Sequence, residues 1–106
     1  MEQEGNYGFL MIQAEEISEI IYRERCLILD LRSEESFLEG HIGHSRNVPF
    51  ELMGEWIDAL PQRVSLILYC EHGNQSLLAV RKLRGRRGTI YTLSGGYQAY
   101  LNMKKD

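Results

Sequence analysis

The chain has 106 residues, 43% of them hydrophobic and 25% charged, with a formal net charge of −3. That length suits one small domain, 1–106, and that composition excludes a disordered chain, which would be poor in apolar residues and high in net charge. No stretch approaches the roughly 20 apolar residues of a membrane span, and two cysteines, Cys26 and Cys70, are too few for a disulfide scaffold.

Met1-Glu2-Gln3-Glu4 is acidic and no apolar segment follows a basic one, so the start does not read as a secretory signal and a cytoplasmic location is expected. Phe9-Leu10-Met11 reads as a short edge strand. A helix begins at Gln13, with Ala14, Ile17, Ile20 and Ile21 on one face. Cys26 to Leu31 is nearly all apolar, as in a strand buried on both faces. Ser33 is the expected N-cap of a short helix through Leu38, and Gly40 its stop. His41 to Asn47 is a polar loop in which His41 and His44 make local hydrogen bonds. Val48-Pro49-Phe50 is a brief edge segment, since proline cannot donate to a ladder. Leu52 to Leu60 reads as a helix with Leu52, Glu55-Trp56 and Ala59-Leu60 inward, stopped by Pro61.

Ser65 to Tyr69 is the second central strand. Ser76 to Arg84 is a helix with Leu77, Val80 and Leu83–Arg84 on one side, broken by Gly85 and Gly88. Ile90 to Leu93 is a strand, and Ser94-Gly95-Gly96 turns into a last helix, Tyr97 to Met103. This alternation predicts an α/β fold: a small, five-stranded, mainly parallel sheet with helices on both faces. Ligands of such sheets bind beyond the carboxyl ends of the strands, where Asp30-Leu31-Arg32 and Cys70 both lie.

The chemistry is expected at Cys70. An apolar strand delivers it to the polar loop Glu71-His72-Gly73-Asn74-Gln75-Ser76, and a helix follows. A helix N-terminus and a glycine-bearing turn aim free N–H groups at an anion, and a cysteine so placed tends toward the nucleophilic thiolate. The alternative is a small packed thiol, the reading that suits Cys26. His72 either pairs with the thiolate or points to solvent. Glu71 is expected on the solvated rim, because a carboxylate near the sulfur would oppose ionisation. Asn74 and Gln75 are uncharged donors. Ser76 reads as the helix N-cap. Asp30 and Arg32 form either an internal ion pair or a brace for the cysteine loop. Neither the cysteines nor His41, His44 and His72 have zinc-site spacing, so no metal is expected.

Charge is uneven. Residues through Asp58 include thirteen acidic and four basic side chains; from Ala59 onward there are two and eight. Five of those eight lie in Arg81 to Arg87. They read as a solvated helix end or as a docking patch for an acidic protein. Nucleic acid is not expected, as the patch has no interleaved aromatics.

Three motifs together resemble the rhodanese domain. They are Asp30-Leu31-Arg32 with Phe37, Gly40-His41-Ile42 and Asn47-Val48-Pro49; then Tyr69-Cys70-Glu71-His72-Gly73-Asn74-Gln75-Ser76; then Leu93-Ser94-Gly95-Gly96-Tyr97-Gln98-Ala99-Tyr100. The resemblance runs from about Met11 to Leu101. It implies a sulfurtransferase without metal or organic cofactor, in which Cys70 takes the outer sulfur of thiosulfate or a persulfide and passes it to cyanide or a thiol. The loop from Cys70 to Gln75 has the six-residue length of sulfurtransferases; related phosphatases and arsenate reductases carry one residue more. Three positions depart from the family pattern: Gln75 replaces an arginine, His44 a glycine and Tyr100 a tryptophan. The alternative function is a rhodanese-like binding or regulatory module with little turnover.

Overall fold

The computed structural model describes residues 8–83 and 85–105, and builds the expected alternation as a five-stranded sheet. Its strands are β1 (Leu10–Ile12), β2 (Cys26–Asp30), β3 (Arg46–Asn47), β4 (Ser65–Tyr69) and β5 (Ile90–Leu93). Their order is β1-β5-β4-β2-β3 and every pairing is parallel. The helices are α1 (Ile17–Arg23), α2 (Glu34–Glu39), α3 (Met53–Trp56), α4 (Asn74–Lys82) and α5 (Gly96–Lys104).

Side chains alternate across a strand, and this sorts the core into two layers. Ile28, Ile67, Tyr69, Tyr91 and Leu93 pack on one face with Ile17 and Ile20 of α1, and with Tyr97, Tyr100 and Met103 of α5. Leu29, Leu31, Leu66, Leu68, Cys70 and Ile90 pack on the other with Met53 of α3 and with Ala79 and Val80 of α4. All five residues of β4 are buried, as a central parallel strand requires. Ser33 caps α2 as expected: its hydroxyl accepts the Ser36 amide at 3.2 Å.

Several faces are rotated from their expected phase. Ala14, Ile17 and Ile20 are buried but Ile21 is 40% exposed. The segment starts as a 3₁₀ turn, Ala14–Glu16, whose three-residue period keeps i, i+3 and i+6 aligned and lets the next position drift outward. Phe50 to Ala59 is also mixed, with 3₁₀ turns Phe50–Leu52 and Ile57–Ala59 on either side of α3. Its inward side is Met53 with Phe50, Trp56, Ile57 and Leu60, and Leu52 is 46% exposed. In α4 the inward residues are Ser76, Ala79 and Val80, with Leu83 following, and Leu77 faces out. The edge strand near Pro49 is Arg46–Asn47, two residues early. Beyond it the amides of Val48 and Phe50 still reach Asp30 O and Leu31 O, both at 2.9 Å. β1 begins one residue late, at Leu10. Among the described residues, no helix is long and apolar enough to cross a membrane.

Candidate functional site

β4 ends at Tyr69, and the next residue, Cys70, is 2% exposed on the α4 side of the sheet. The chain then turns through Gly73, whose φ of 106° suits a residue without a Cβ. Two amides converge on the thiol: Gly73 N–H at 3.1 Å and Ser76 N–H at 3.4 Å from Sγ. Both are at the start of α4, where amides have no partner inside the helix. Sulfur held there faces donors and the positive end of the helix dipole, an arrangement that stabilises a thiolate or an anionic persulfide.

α4 begins at Asn74 with Gly73 as its cap, so Ser76 is not the N-cap. Ser76 is fully buried in the first turn and its hydroxyl donates to Gly73 O at 3.2 Å. A polar residue fits this inward position because the loop supplies its partner. His72 and Asn74 are exposed, and Gln75 is half-buried. The donors to Sγ come from the main chain, and His72 takes the solvent-facing alternative.

Glu71 is not a free rim residue. Arg32 Nη1 donates to Glu71 Oε1 at 3.3 Å, and the Gln98 side-chain amide donates to Glu71 Oε2. The main chain is held from the same side. Tyr97 N–H donates to Cys70 O at 2.8 Å and Gln98 N–H to Glu71 O at 3.2 Å. The first amides of α5 thus fix the first two carbonyls of the loop, which turns the following N–H groups toward sulfur.

Arg32 and Asp30 combine both of the expected roles. Asp30 is fully buried, and Arg32 donates to its carboxylate from Nε at 3.0 Å and Nη2 at 2.7 Å. Nη2 also donates to Gly40 O at 2.7 Å, and the guanidinium lies 4.1 Å from the Tyr97 ring centroid. Burial alone would favour the neutral guanidine, but the hydrogen bonds and charge of Asp30, with Glu71 adding, raise its pKa instead. Burial likewise pushes the neighbouring Tyr69 phenol up. That hydroxyl accepts the Ile42 amide at 3.0 Å and lies 3.1 Å from Ser45 Oγ. Asn47 ties the turn after β2 together by donating to Asp30 O and Arg32 O at 3.1 and 2.9 Å. A cleft of about 490 Å³ opens beside this network, lined by Arg32, Glu39, Glu71, Tyr97 and Gln98 among others.

The rhodanese-like domain family model matches residues 13–103. The chain belongs to the rhodanese-like domain family. A thiosulfate sulfurtransferase GlpE of Ectopseudomonas mendocina is 32% identical over 76 residues, spanning 71% of this chain and 70% of the relative. A thiosulfate sulfurtransferase GlpE of Pseudomonas putida is 26% identical over 93 residues, 87% of this chain and 84% of the relative. Among solved structures, a rhodanese-related protein from Thermoplasma volcanium superposes with a TM-score of 0.80 at 27% identity, covering 90% of this chain and 93% of that one.

This member's rhodanese-like site draws on positions that the sequence pattern did not single out for the loop. Gly96, Tyr97 and Gln98 hold it from α5, and the Gly95-Gly96 pair was the signal: two glycines before a helix allow close backbone approach. His41 is a local residue as expected, its Nδ1 2.8 Å from Phe37 O and its ring stacked on Phe37. His44 adopts a left-handed φ of 68°, the conformation that the usual glycine would take without strain. The basic segment lies at the other end of the sheet. Arg86 Nη2 donates to Pro61 O and Val64 O at 2.8 and 2.7 Å, just before β4 begins. Arg81, Lys82 and Arg87 are exposed, and Arg84 lies outside the described residues.

Proposed function

We propose that this protein is a sulfurtransferase or persulfide carrier that works through Cys70. The Cys70 thiolate attacks the outer sulfur of thiosulfate or of a persulfide. The donor's S–S bond breaks, and sulfite or a thiolate leaves with the electron pair. Cys70 then carries Cys–S–S⁻, and attack by a thiolate or cyanide on the outer sulfur returns the Cys70 thiolate. Splitting the transfer in two is covalent catalysis, and the loop amides stabilise the anionic sulfur in each half, as an oxyanion hole does. The observation carrying this reading is the pair of amides, Gly73 and Ser76, aimed at Cys70 Sγ at the head of α4. Glu71, His72, Gly73, Asn74, Gln75 and Ser76 form the donor-binding loop, with Asp30 and Arg32 as its support. The GlpE relatives are named thiosulfate sulfurtransferases, which supports the same reaction class. Two free thiols fit a reducing, cytoplasmic setting.

Intact mass after incubation with thiosulfate, then with a persulfide donor, tests the reading. One added sulfur, about 32 Da, is expected on the wild type and not on Cys70→Ala. An unchanged mass with every donor refutes it.

A second reading, a binding module with little turnover, draws on Gln75 in place of the family's arginine and on the 2% exposure of Cys70. An acidic protein would then dock on Arg81 to Arg87, away from the sulfur. A Cys70 that alkylates at pH 7 no faster than a free model thiol favours this reading.

A further inference from the structure

Near the loop, one cation stands between two carboxylates. Every guanidinium nitrogen of Arg32 is engaged by the protein: Nε by Asp30, Nη2 by Asp30 and Gly40 O, and Nη1 by Glu71. The side-chain exposures are 7% for Arg32, none for Asp30 and 41% for Glu71. The cation is therefore consumed inside, while the carboxylate that remains in excess faces the cleft. Glu71 is the residue bonded to Cys70, and Arg32 and Gln98 fix its side chain. Glu39 lines the same cleft, and adds a second negative charge. Gln75, in the first turn of α4, adds none of either sign. Attraction for an anionic donor then rests on the main-chain amides at the head of α4, against a fixed negative charge at the loop's first step.

We propose that Glu71 is a specificity-determining residue, selecting singly charged persulfides over doubly charged donors at Cys70. Two opposing quantities scale differently with donor charge. The amides of Gly73 and Ser76 bind one sulfur, whatever the rest of the donor carries. The repulsion from Glu71 grows with the whole charge, so it weighs about twice as heavily on thiosulfate (−2) as on cysteine persulfide (−1). The inference rests on sulfur transfer at Cys70 and names its preferred donor class.

The test compares thiosulfate and cysteine persulfide as donors, reading the second-order rate of sulfur loading on Cys70 by rapid-quench mass spectrometry. In Glu71→Gln the shape is kept and the charge is removed: the new amide oxygen accepts from Arg32, and its NH2 donates to the Gln98 side-chain oxygen once that amide turns over. The thiosulfate rate is expected to rise about tenfold and the cysteine persulfide rate about threefold or less. Near-ultraviolet circular dichroism establishes that the variant is folded. A second measurement needs no variant: wild-type loading from thiosulfate should increase with ionic strength more steeply than loading from cysteine persulfide, because screening weakens the larger repulsion more. Equal changes with both donors, or no change with thiosulfate, overturn the role of Glu71. Failure of both donors to load wild-type Cys70 overturns sulfur transfer itself.

Discussion

The backbone of Gly96 lies directly against the carbonyl of Cys70: a Cβ built on Gly96 collides with the carbonyl oxygens of both Cys70 and Glu71. Those carbonyls accept the Tyr97 and Gln98 amides, so the approach of α5 sets where the loop begins. Gly96 also has a φ of 64°, which side chains adopt at a cost.

Gly96→Ala should therefore be among the most damaging small substitutions in the chain. The expected loss is about 2–4 kcal/mol, from overpacking and backbone strain together. Thermal unfolding should show a Tm drop of more than about 10 °C. A variant within about 2 °C of wild type would mean that α5 does not hold the loop.

Arg32→Ala leaves the fully buried Asp30 carboxylate without its cation. Breaking a buried pair on one side costs about 3–5 kcal/mol. The double variant Asp30→Asn/Arg32→Met should recover part of that in urea unfolding, because no unpaired charge remains. Equal losses in the single and double variants would show that the pair's geometry matters more than its charge.

Cys26 should respond to pH as a buried thiol. Burial, with the charge of Glu24 adding, pushes the Cys26 thiol up to about 11. In the unfolded chain it titrates near its ordinary value, about 8.5. The folded protein then holds the proton more tightly. This contribution to stability is complete below about 8.5 and is lost as pH rises toward the folded value. Iodoacetamide labelling of Cys26 should be slow at pH 8 and quicken as pH rises toward the folded value, as peptide mapping would report. Labelling at pH 8 as fast as in the unfolded chain would show that burial does not hold the proton. Cys26 is at the amino end of β2 on the α5 side, whereas Cys70 follows β4 on the α4 side. Oxidation should therefore produce no disulfide between them within one chain, since a bridge needs Cα atoms within about 7 Å.

Acid should act through Glu24. Its carboxylate accepts the Ser65 and Tyr91 hydroxyls, each at 2.6 Å. These bonds, with Arg23, outweigh burial and hold it below its ordinary 4.5. A lowered folded value means stabilisation present above 4.5 and lost as pH falls through the folded value. Urea midpoints should drop below that pH in the wild type, and Glu24→Gln should flatten the fall. Identical acid profiles for the two proteins would show that Glu24 does not set the acid transition.

His44→Gly should stabilise the protein by about 0.5–1 kcal/mol. The φ of 68° is strained for histidine and free for glycine, a gain of about 1–2 kcal/mol that glycine's larger unfolded-state entropy partly offsets. A lower urea midpoint in the variant would show that the exposed imidazole makes a stabilising contact.

Strand content was legible from residue type alone. Cys26 to Asp30 and Ser65 to Tyr69 are apolar runs long enough for strands and too short for helices, and buried parallel strands need such runs because both of their faces are covered. The alternation of strands and helices implied the parallel sheet, and it placed Cys70 at a carboxyl end before α4. The faces of the short helices were not legible. Ile21, Leu52 and Leu77 are as apolar as their buried neighbours, and, beside the first two, 3₁₀ turns shift the phase by amounts that composition does not encode.

The sequence by itself determined the thiol, the glycine that turns the loop and the strand that delivers them, because each is a local requirement of backbone geometry. Only the tertiary structure decided what surrounds that thiol. Glu71 meets Arg32 across 39 positions of chain and Gln98 across 27. Contacts at such separations follow from the strand order and the approach of α5, so no local pattern announces them. The fold therefore makes Glu71, which reads locally as a solvated rim residue, a charge held in place at the first step of the cysteine loop.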